Sequence, residues 1–163
     1  MKQVILLRHA KSSWEHTDLS DFERPLNRRG KRDAPRMGSW IEQQGITPDA
    51  VLCSAATRAQ QTLAGLQTTT DLGEYLVVTE DLYLAPPSTT IALLTQLDDG
   101  IQTALIIAHN PGMEGLLWGL CGIDHVMPTC ALAQIQLPNE SWMETDLNQQ
   151  GDLIELIIPR LLP

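Results

Sequence analysis

Val4-Ile5-Leu6-Leu7-Arg8-His9-Ala10 decides how this chain is read. An uninterrupted apolar run predicts a strand, Gln3 to Leu7, buried on both faces in the middle of a parallel sheet. The run ends in a cation and an imidazole. Open α/β sheets bind ligands beyond the carboxyl ends of their strands, so Arg8 and His9 stand where a ligand would sit. Alone, a histidine after a strand is more often a hydrogen-bonded structural residue. The rest of the chain decides between the two readings.

Outward from that strand, Lys11 to Asn27 is polar and irregular, a length that compact domains often give to function. Arg28 to Gln44 has helical spacing, with Met37, Trp40 and Ile41 on one face and Gly45 as C-cap. Pro35 marks the effective start of this helix or a kink. Ala50 to Cys53 is a second short apolar run, and Ser54 is placed to cap a helix from Ala55 to about Thr69. Tyr75 to Val78 predicts a third strand, and Ser88 a cap for a helix over Thr89 to Leu97. Thr103 to Ala108 is a fourth strand, and Pro111 to Leu120 a helix with proline near its first turn. Ala131 to Leu137 and Leu153 to Ile158 are the last strands, with a turn signal at Pro138-Asn139-Glu140-Ser141. Strands and helices alternate, then strands cluster. The pattern predicts one domain over residues 1–163, a three-layer α/β/α arrangement with a mostly parallel central sheet and an antiparallel C-terminal addition.

The chain has 163 residues, enough to bury roughly two thirds of its unfolded surface without a metal or disulfide. Its net charge of −9, from 20 acidic and 11 basic residues, disfavours nucleic acid and anionic membranes as main partners. An acidic protein that binds an anion must focus a few cations in a cleft, so the arginines carry more information than usual. Arg24, Arg28, Arg29 and Arg32 fall close together, the last three reading as a solvated helix face. Cys53, Cys121 and Cys130 are odd in number and lack a CxxC pair, which reads as reduced thiols in a cytoplasmic protein. No signal peptide or transmembrane segment is apparent.

Three strand ends then line up. The first ends at Arg8-His9. The second ends at Cys53-Ser54, with Arg58 in the first turn of the following helix. The fourth ends at Ala108-His109. In a parallel sheet these ends share one edge, where helix N-termini also favour anions. A neutral imidazole can attack phosphorus and form a phospho-imidazole. Arginines bind phosphoryl oxygens with paired donors and stabilise the charge as the group moves, so no metal is required. His16 and His125 have no partner pattern and read as surface residues. Cys53 belongs to its strand and reads as packing rather than as a nucleophile.

Here the residues match a known pattern. Leu7-Arg8-His9-Ala10 resembles the Arg-His-Gly signature of the histidine phosphatase superfamily, which includes phosphoglycerate mutases. The stretch Cys53 to Thr62, with arginine four residues after Ser54, resembles that family's second motif. Ala108-His109-Asn110-Pro111-Gly112 resembles its third. The short chain, Ala10 in place of glycine, and Arg24-Pro25-Leu26 look most like the SixA-type phosphohistidine phosphatases. The resemblance spans residue 3 to about residue 120. It implies that His9 is the transiently phosphorylated nucleophile, that Arg8 and Arg58 bind the phosphoryl group, and that His109 completes the pocket. Arg24 and Ser12 are further candidates for phosphoryl binding.

One departure matters. Many members carry a glutamate general acid after the third strand, in a Leu-x-Glu pattern. Here the matching stretch is Leu82-Tyr83-Leu84, with Glu80 and Asp81 on the far side of Leu82. Loss of a positioned acid costs about 10²–10⁴-fold on poor leaving groups. A phosphoramidate suffers less, so the gap favours phosphohistidine over sugar phosphates. The expectation is a metal-independent, cofactor-free phosphatase that acts on phosphohistidine of a protein partner, such as a phosphotransfer domain. Two alternatives stand beside it: a phosphatase of small phosphomonoesters or nucleotides, with an acid near Glu80 or Asp81, and a non-catalytic phosphoryl-binding module.

Overall fold

The opening strand is buried on both sides, as its lack of alternation demands. In the computed structural model, which describes residues 1–163, β1 spans Lys2–Arg8 and Val4 to Leu7 are fully buried. Val4 and Leu6 face one core, Ile5 and Leu7 the other. A strand whose side chains alternate between two cores must be apolar at every position.

Six strands form one sheet in the order β3-β2-β4-β1-β5-β6. The first four, β1, β2 (Ala50–Ser54), β3 (Leu76–Thr79) and β4 (Thr103–Ala108), are parallel to their neighbours within that group. β5 (Leu132–Leu137) runs antiparallel to β1, and β6 (Asp152–Ile157) antiparallel to β5. This is the expected mostly parallel sheet with an antiparallel C-terminal addition. Helices α1 (Arg28–Gln43) and α2 (Thr57–Gln67) cover one face, joining Ile5, Leu7, Leu105 and Ile107. Helix α4 (Gly112–Cys121) covers the other with Leu94 of α3 (Pro87–Leu94), joining Val4, Leu6 and Ile106.

Three local expectations are corrected. Pro35 neither starts nor interrupts α1. Asn27 caps the helix by accepting from the Gly30 amide at 2.9 Å, and packing of Ala34, Met37 and Ile41 into the core carries the helix through the missing donor. Ser54 is not the N-cap of α2, which begins at Thr57 after Ala56; its hydroxyl is used elsewhere. Ser88 lies inside the first turn of α3, which begins one residue earlier at Pro87 because proline suits that position. Gly45 does end α1, with φ of +67° in the left-handed region, and the Ile46 amide closes back on the Ile41 carbonyl at 3.1 Å.

Register fixes the position of the site. Arg8 pairs with Ala108 across β1 and β4, and Cys53 pairs with Ile107 across β2 and β4. His9, Ser54 and His109 therefore leave the sheet side by side.

Candidate active site

His9 is 6% exposed and His109 is 2% exposed, with ring centroids 5.1 Å apart. The His9 Nδ1 lies 2.7 Å from the Ala10 carbonyl. A carbonyl only accepts, so Nδ1 carries the proton and Nε2 carries the lone pair. Arg58 Nε approaches that Nε2 at 3.4 Å as a donor. Burial pushes the imidazole down to about 3, helped by His109, Arg58 and Arg8 and opposed by the Ala10 hydrogen bond. His9 is thus neutral at physiological pH and needs no base to free its lone pair.

Ser54 is the residue that orients His109. The Ser54 hydroxyl accepts from the Ala56 amide at 3.3 Å and lies 2.7 Å from His109 Nε2. The hydroxyl can donate to Nε2, and in that tautomer the ring proton sits on Nδ1. That Nδ1 is buried without a partner, as is the Nε of Arg8. Burial also pulls His109 down to about 4, with Arg58 and Arg8 adding to this and Asp21 opposing it. Buried polar atoms without partners cost free energy and call for an explanation. A phosphoryl group lodged between them would supply the acceptors.

The other predicted residues converge here as well. Arg8, His9, Ser12, Arg24, Arg58 and His109 all line one cavity of about 240 Å³. Arg8 donates to the Met127 carbonyl at 3.0 Å. Burial lowers its guanidinium from the ordinary value, with Glu114 opposing, and arginine stays charged regardless. Arg24 is 7% exposed; it donates to the Ser12 hydroxyl at 2.9 Å and the Ser13 carbonyl at 3.0 Å. The long loop is strapped as well. A Ser12–Leu26 bridge and the Ser13 amide on the Pro25 carbonyl fold it into a ribbon that carries Ser12 and Arg24 to the cavity.

Sequence reasoning missed three residues. Asp21 accepts from Arg58 Nη2 at 3.0 Å, from Arg24 Nε at 3.1 Å and from the Tyr83 hydroxyl, and its carbonyl accepts from Arg58 Nη1 at 2.6 Å. The Tyr83 and arginine hydrogen bonds hold this carboxylate down at about 2, so it is a fixed anion that aims Arg58. Tyr83 also sets its ring edge against His109, with centroids 5.5 Å apart. Thr62 accepts from the Ala10 amide at 2.9 Å and donates to the Arg58 carbonyl at 2.7 Å, tying the loop after His9 to the helix that carries Arg58. Only Asp21 left a usable trace, its three-residue spacing before Arg24.

The model of the histidine phosphatase superfamily (branch 1) matches residues 4–82. An uncharacterized protein of Mycobacterium leprae is 30% identical over 167 residues, covering 94% of this chain and 100% of that protein. The chain belongs to the histidine phosphatase superfamily. This histidine phosphatase is also similar to the phosphohistidine phosphatase SixA of Escherichia coli, 27% identical over 145 residues, with 83% of this chain and 85% of that protein covered. Its fold matches that of the protein histidine phosphatase SixA complexed with tungstate at a TM-score of 0.83 and 26% identity, over 97% of both chains. His109 lies beyond the matched range; register alone brings it to His9.

In this histidine phosphatase, Leu84 stands where the Leu-x-Glu pattern would put a carboxylate. It is 51% exposed and lines the mouth of the cavity. Glu80 and Asp81 are exposed in a short helical turn over Glu80–Leu82 and do not line the cavity, and neither does any other carboxylate. Burial pushes the Cys53 and Cys130 thiols up to about 12, so both are inert packing groups. No helix is long and apolar enough to cross a membrane.

Proposed function

We propose that this phosphatase works through a phosphohistidine intermediate on His9 and removes phosphoryl groups from phosphohistidine on a partner protein, without a metal. In the first step His9 Nε2 attacks phosphorus and the bond to the substrate ring nitrogen breaks. Arg8, Arg58 and the His109 Nδ1–H hold the oxygens, with Ser12 and Arg24 at the far rim. In the second step water attacks phospho-His9 and inorganic phosphate leaves. Because Nδ1 keeps its proton on the Ala10 carbonyl throughout, His9 departs as a neutral imidazole and not as an imidazolate.

The observation that carries the substrate class is Leu84 at the cavity mouth, with no carboxylate lining the cavity. An ester oxygen needs its proton at the atom being cleaved, inside the pocket. A phosphohistidine leaving group takes its proton at the remote ring nitrogen, from solvent. The volume of about 240 Å³ lies below the roughly 300–1,000 Å³ of small-molecule sites, which suits a phosphoryl group whose carrier stays outside. That a relative of the same fold binds tungstate, a tetrahedral oxyanion, agrees with this. The three unpaired cysteines suit a reducing, cytoplasmic setting.

The test compares kcat/KM for a phosphohistidine peptide with that for a panel of sugar phosphates and nucleoside monophosphates, with and without chelator. Preference for the peptide, unchanged by chelator, is expected. Preference for esters would overturn the assignment. An acid-labile, alkali-stable phosphoenzyme trapped from the reaction separates a catalyst from a binding module.

A further inference from the structure

We infer that the outward face of α1, with Arg160, is a docking surface for an acidic protein that presents its phosphohistidine to the neighbouring pocket. This rests on the phosphohistidine-on-protein reading above. The chain carries 11 lysines and arginines against 20 acidic residues. Four of the cations, Arg8, Lys11, Arg24 and Arg58, line the active-site cavity, and Lys2 is buried at the opposite end of β1. The remaining six are Arg28, Arg29, Lys31, Arg32, Arg36 and Arg160. Five of these are on α1, and all six except the half-buried Arg36 are exposed.

The arginines surround two adjoining cavities that share Arg29 and Arg32. Asp33 stands inside one of them at 1% exposure. It anchors Arg29 at 3.6 Å, Arg32 at 3.0 Å and Arg36 at 3.3 Å. Three guanidiniums on one buried carboxylate are held in place and keep a local surplus of positive charge. Arg28, Lys31 and Arg160 have no side-chain partner and reach solvent. Outside this strip and the cationic pocket beside it the surface carries no lysine or arginine, and the net charge is −9, so the strip both attracts and orients such a partner.

The strip is continuous with the pocket. The Asn27 amide donates to the Lys11 carbonyl at 2.9 Å, and a Cβ on Gly30 would stand 2.2 Å from that same oxygen. The first turn of α1 is therefore pressed against the backbone two residues after His9. Glu15 in one basic cavity follows Trp14 in the active-site rim, and Pro128 in the other precedes Thr129. Trp14 is 71% exposed and lies 3.5 Å over the Arg24 guanidinium, an apolar anchor of the kind that interfaces use. A 16-residue helix is about 24 Å long, which matches one side of a modest protein interface.

The test uses a triple reversal, Arg28→Glu, Lys31→Glu and Arg160→Glu, which leaves the Asp33 cluster and the pocket untouched. The two substrates are free phosphohistidine and an acidic histidine phosphotransfer domain phosphorylated with phosphoramidate. The reversal is expected to lower kcat/KM for the domain by tenfold or more at low salt. It should also flatten the steep salt dependence of the native enzyme and change free phosphohistidine turnover by less than twofold. An unchanged rate on the domain, or an equal loss on both substrates, would overturn the docking surface. So would native enzyme that holds duplex DNA through these residues more tightly than the acidic domain. Failure of the native enzyme on both substrates would instead overturn the phosphohistidine reading.

Discussion

The two ends of β1 each carry a cation and treat it in opposite ways. At the amino end Lys2 is 1% exposed, and its ammonium donates to the Asp99 carbonyl at 2.6 Å and the Ile101 carbonyl at 2.9 Å. Trp142 shares the Ile101 carbonyl at 2.7 Å and lies under the ammonium. At the carboxyl end Arg8 buries an Nε, and His109 beside it a Nδ1, with nothing to bond. Buried polar groups are normally satisfied. The satisfied end is structure, and the unsatisfied end is where the proposed phosphoryl group would supply acceptors. On the proposed mechanism the contrast marks the carboxyl end of β1 as the edge where the phosphoryl group binds.

The sharpest way to break that contrast is His9→Ala. Loss of a nucleophile should lower phosphohistidine turnover by about 10⁴-fold or more. Thermal stability should not fall, because a desolvated imidazole is removed. Residual activity near the native rate would exclude His9 as the attacking group.

Next in size is the paired substitution of the two cations at the ends of β1. Arg8→Lys keeps the charge but loses the planar fork that holds two phosphoryl oxygens, and should cost about 10²–10³-fold in kcat/KM. Lys2→Met should leave kcat/KM within about twofold and lower stability by about 1–3 kcal/mol, through the carbonyl acceptors that it abandons. Steady-state kinetics and denaturant melts on both variants decide this. A Lys2→Met that impaired catalysis more than Arg8→Lys would dissolve the distinction.

Much of this architecture is written in particular residues. The uninterrupted Val4–Leu7 and Thr103–Ala108 runs announce strands buried on both faces, and the polar residues at their ends mark the catalytic edge. Arg58 and Arg24 were visible from their spacing behind Ser54 and before Pro25. What stayed hidden depends on three-dimensional pairing. Ser54 reads locally as a helix cap, because nothing in the sequence says that His109 will arrive beside it. Asp21 and Tyr83 sit 62 residues apart, and their direct hydrogen bond beside Arg58 exists only once the chain is folded. Pro35 reads as a helix start because local propensity cannot count the tertiary packing that carries α1 through it.

Acid should weaken the two ends unequally. His9 falls to about 3 and His109 to about 4 in the folded protein, against about 6.5 in an unfolded chain. Below pH 6.5 the unfolded chain takes up protons that the folded one refuses, so stability is lost as pH falls toward 4 and 3. At pH 5 the loss is about 2 kcal/mol for each histidine. Asp21, held at about 2 against 3.8 for a free carboxyl, adds stability that is intact from pH 7 to pH 5 and is lost only as pH falls through 3.8 toward 2. Melting curves from pH 7 to pH 5 should shift downward in the native protein and much less in a His9→Gln, His109→Gln double variant. Equal shifts in both would mean that the site histidines are not the desolvated groups.

The smallest effect expected is a gain. Leu84→Glu puts a carboxyl at the cavity mouth, where the backbone already holds φ of +49° for a leucine, so the exchange adds no new backbone strain. A positioned acid contributes about 10²–10⁴-fold in evolved sites. An unrefined one, drawn toward its charged form by Arg8 and Arg58 nearby, should give about tenfold in kcat/KM on a simple alkyl phosphate. Phosphohistidine hydrolysis should change by less than about threefold, because its leaving nitrogen is protonated from solvent and not from the pocket. The ratio of the two activities is the measurement. A ratio that stays fixed would mean that the missing carboxylate is not what sets the leaving-group preference, and selectivity would then have to come from how the carrier docks outside the pocket.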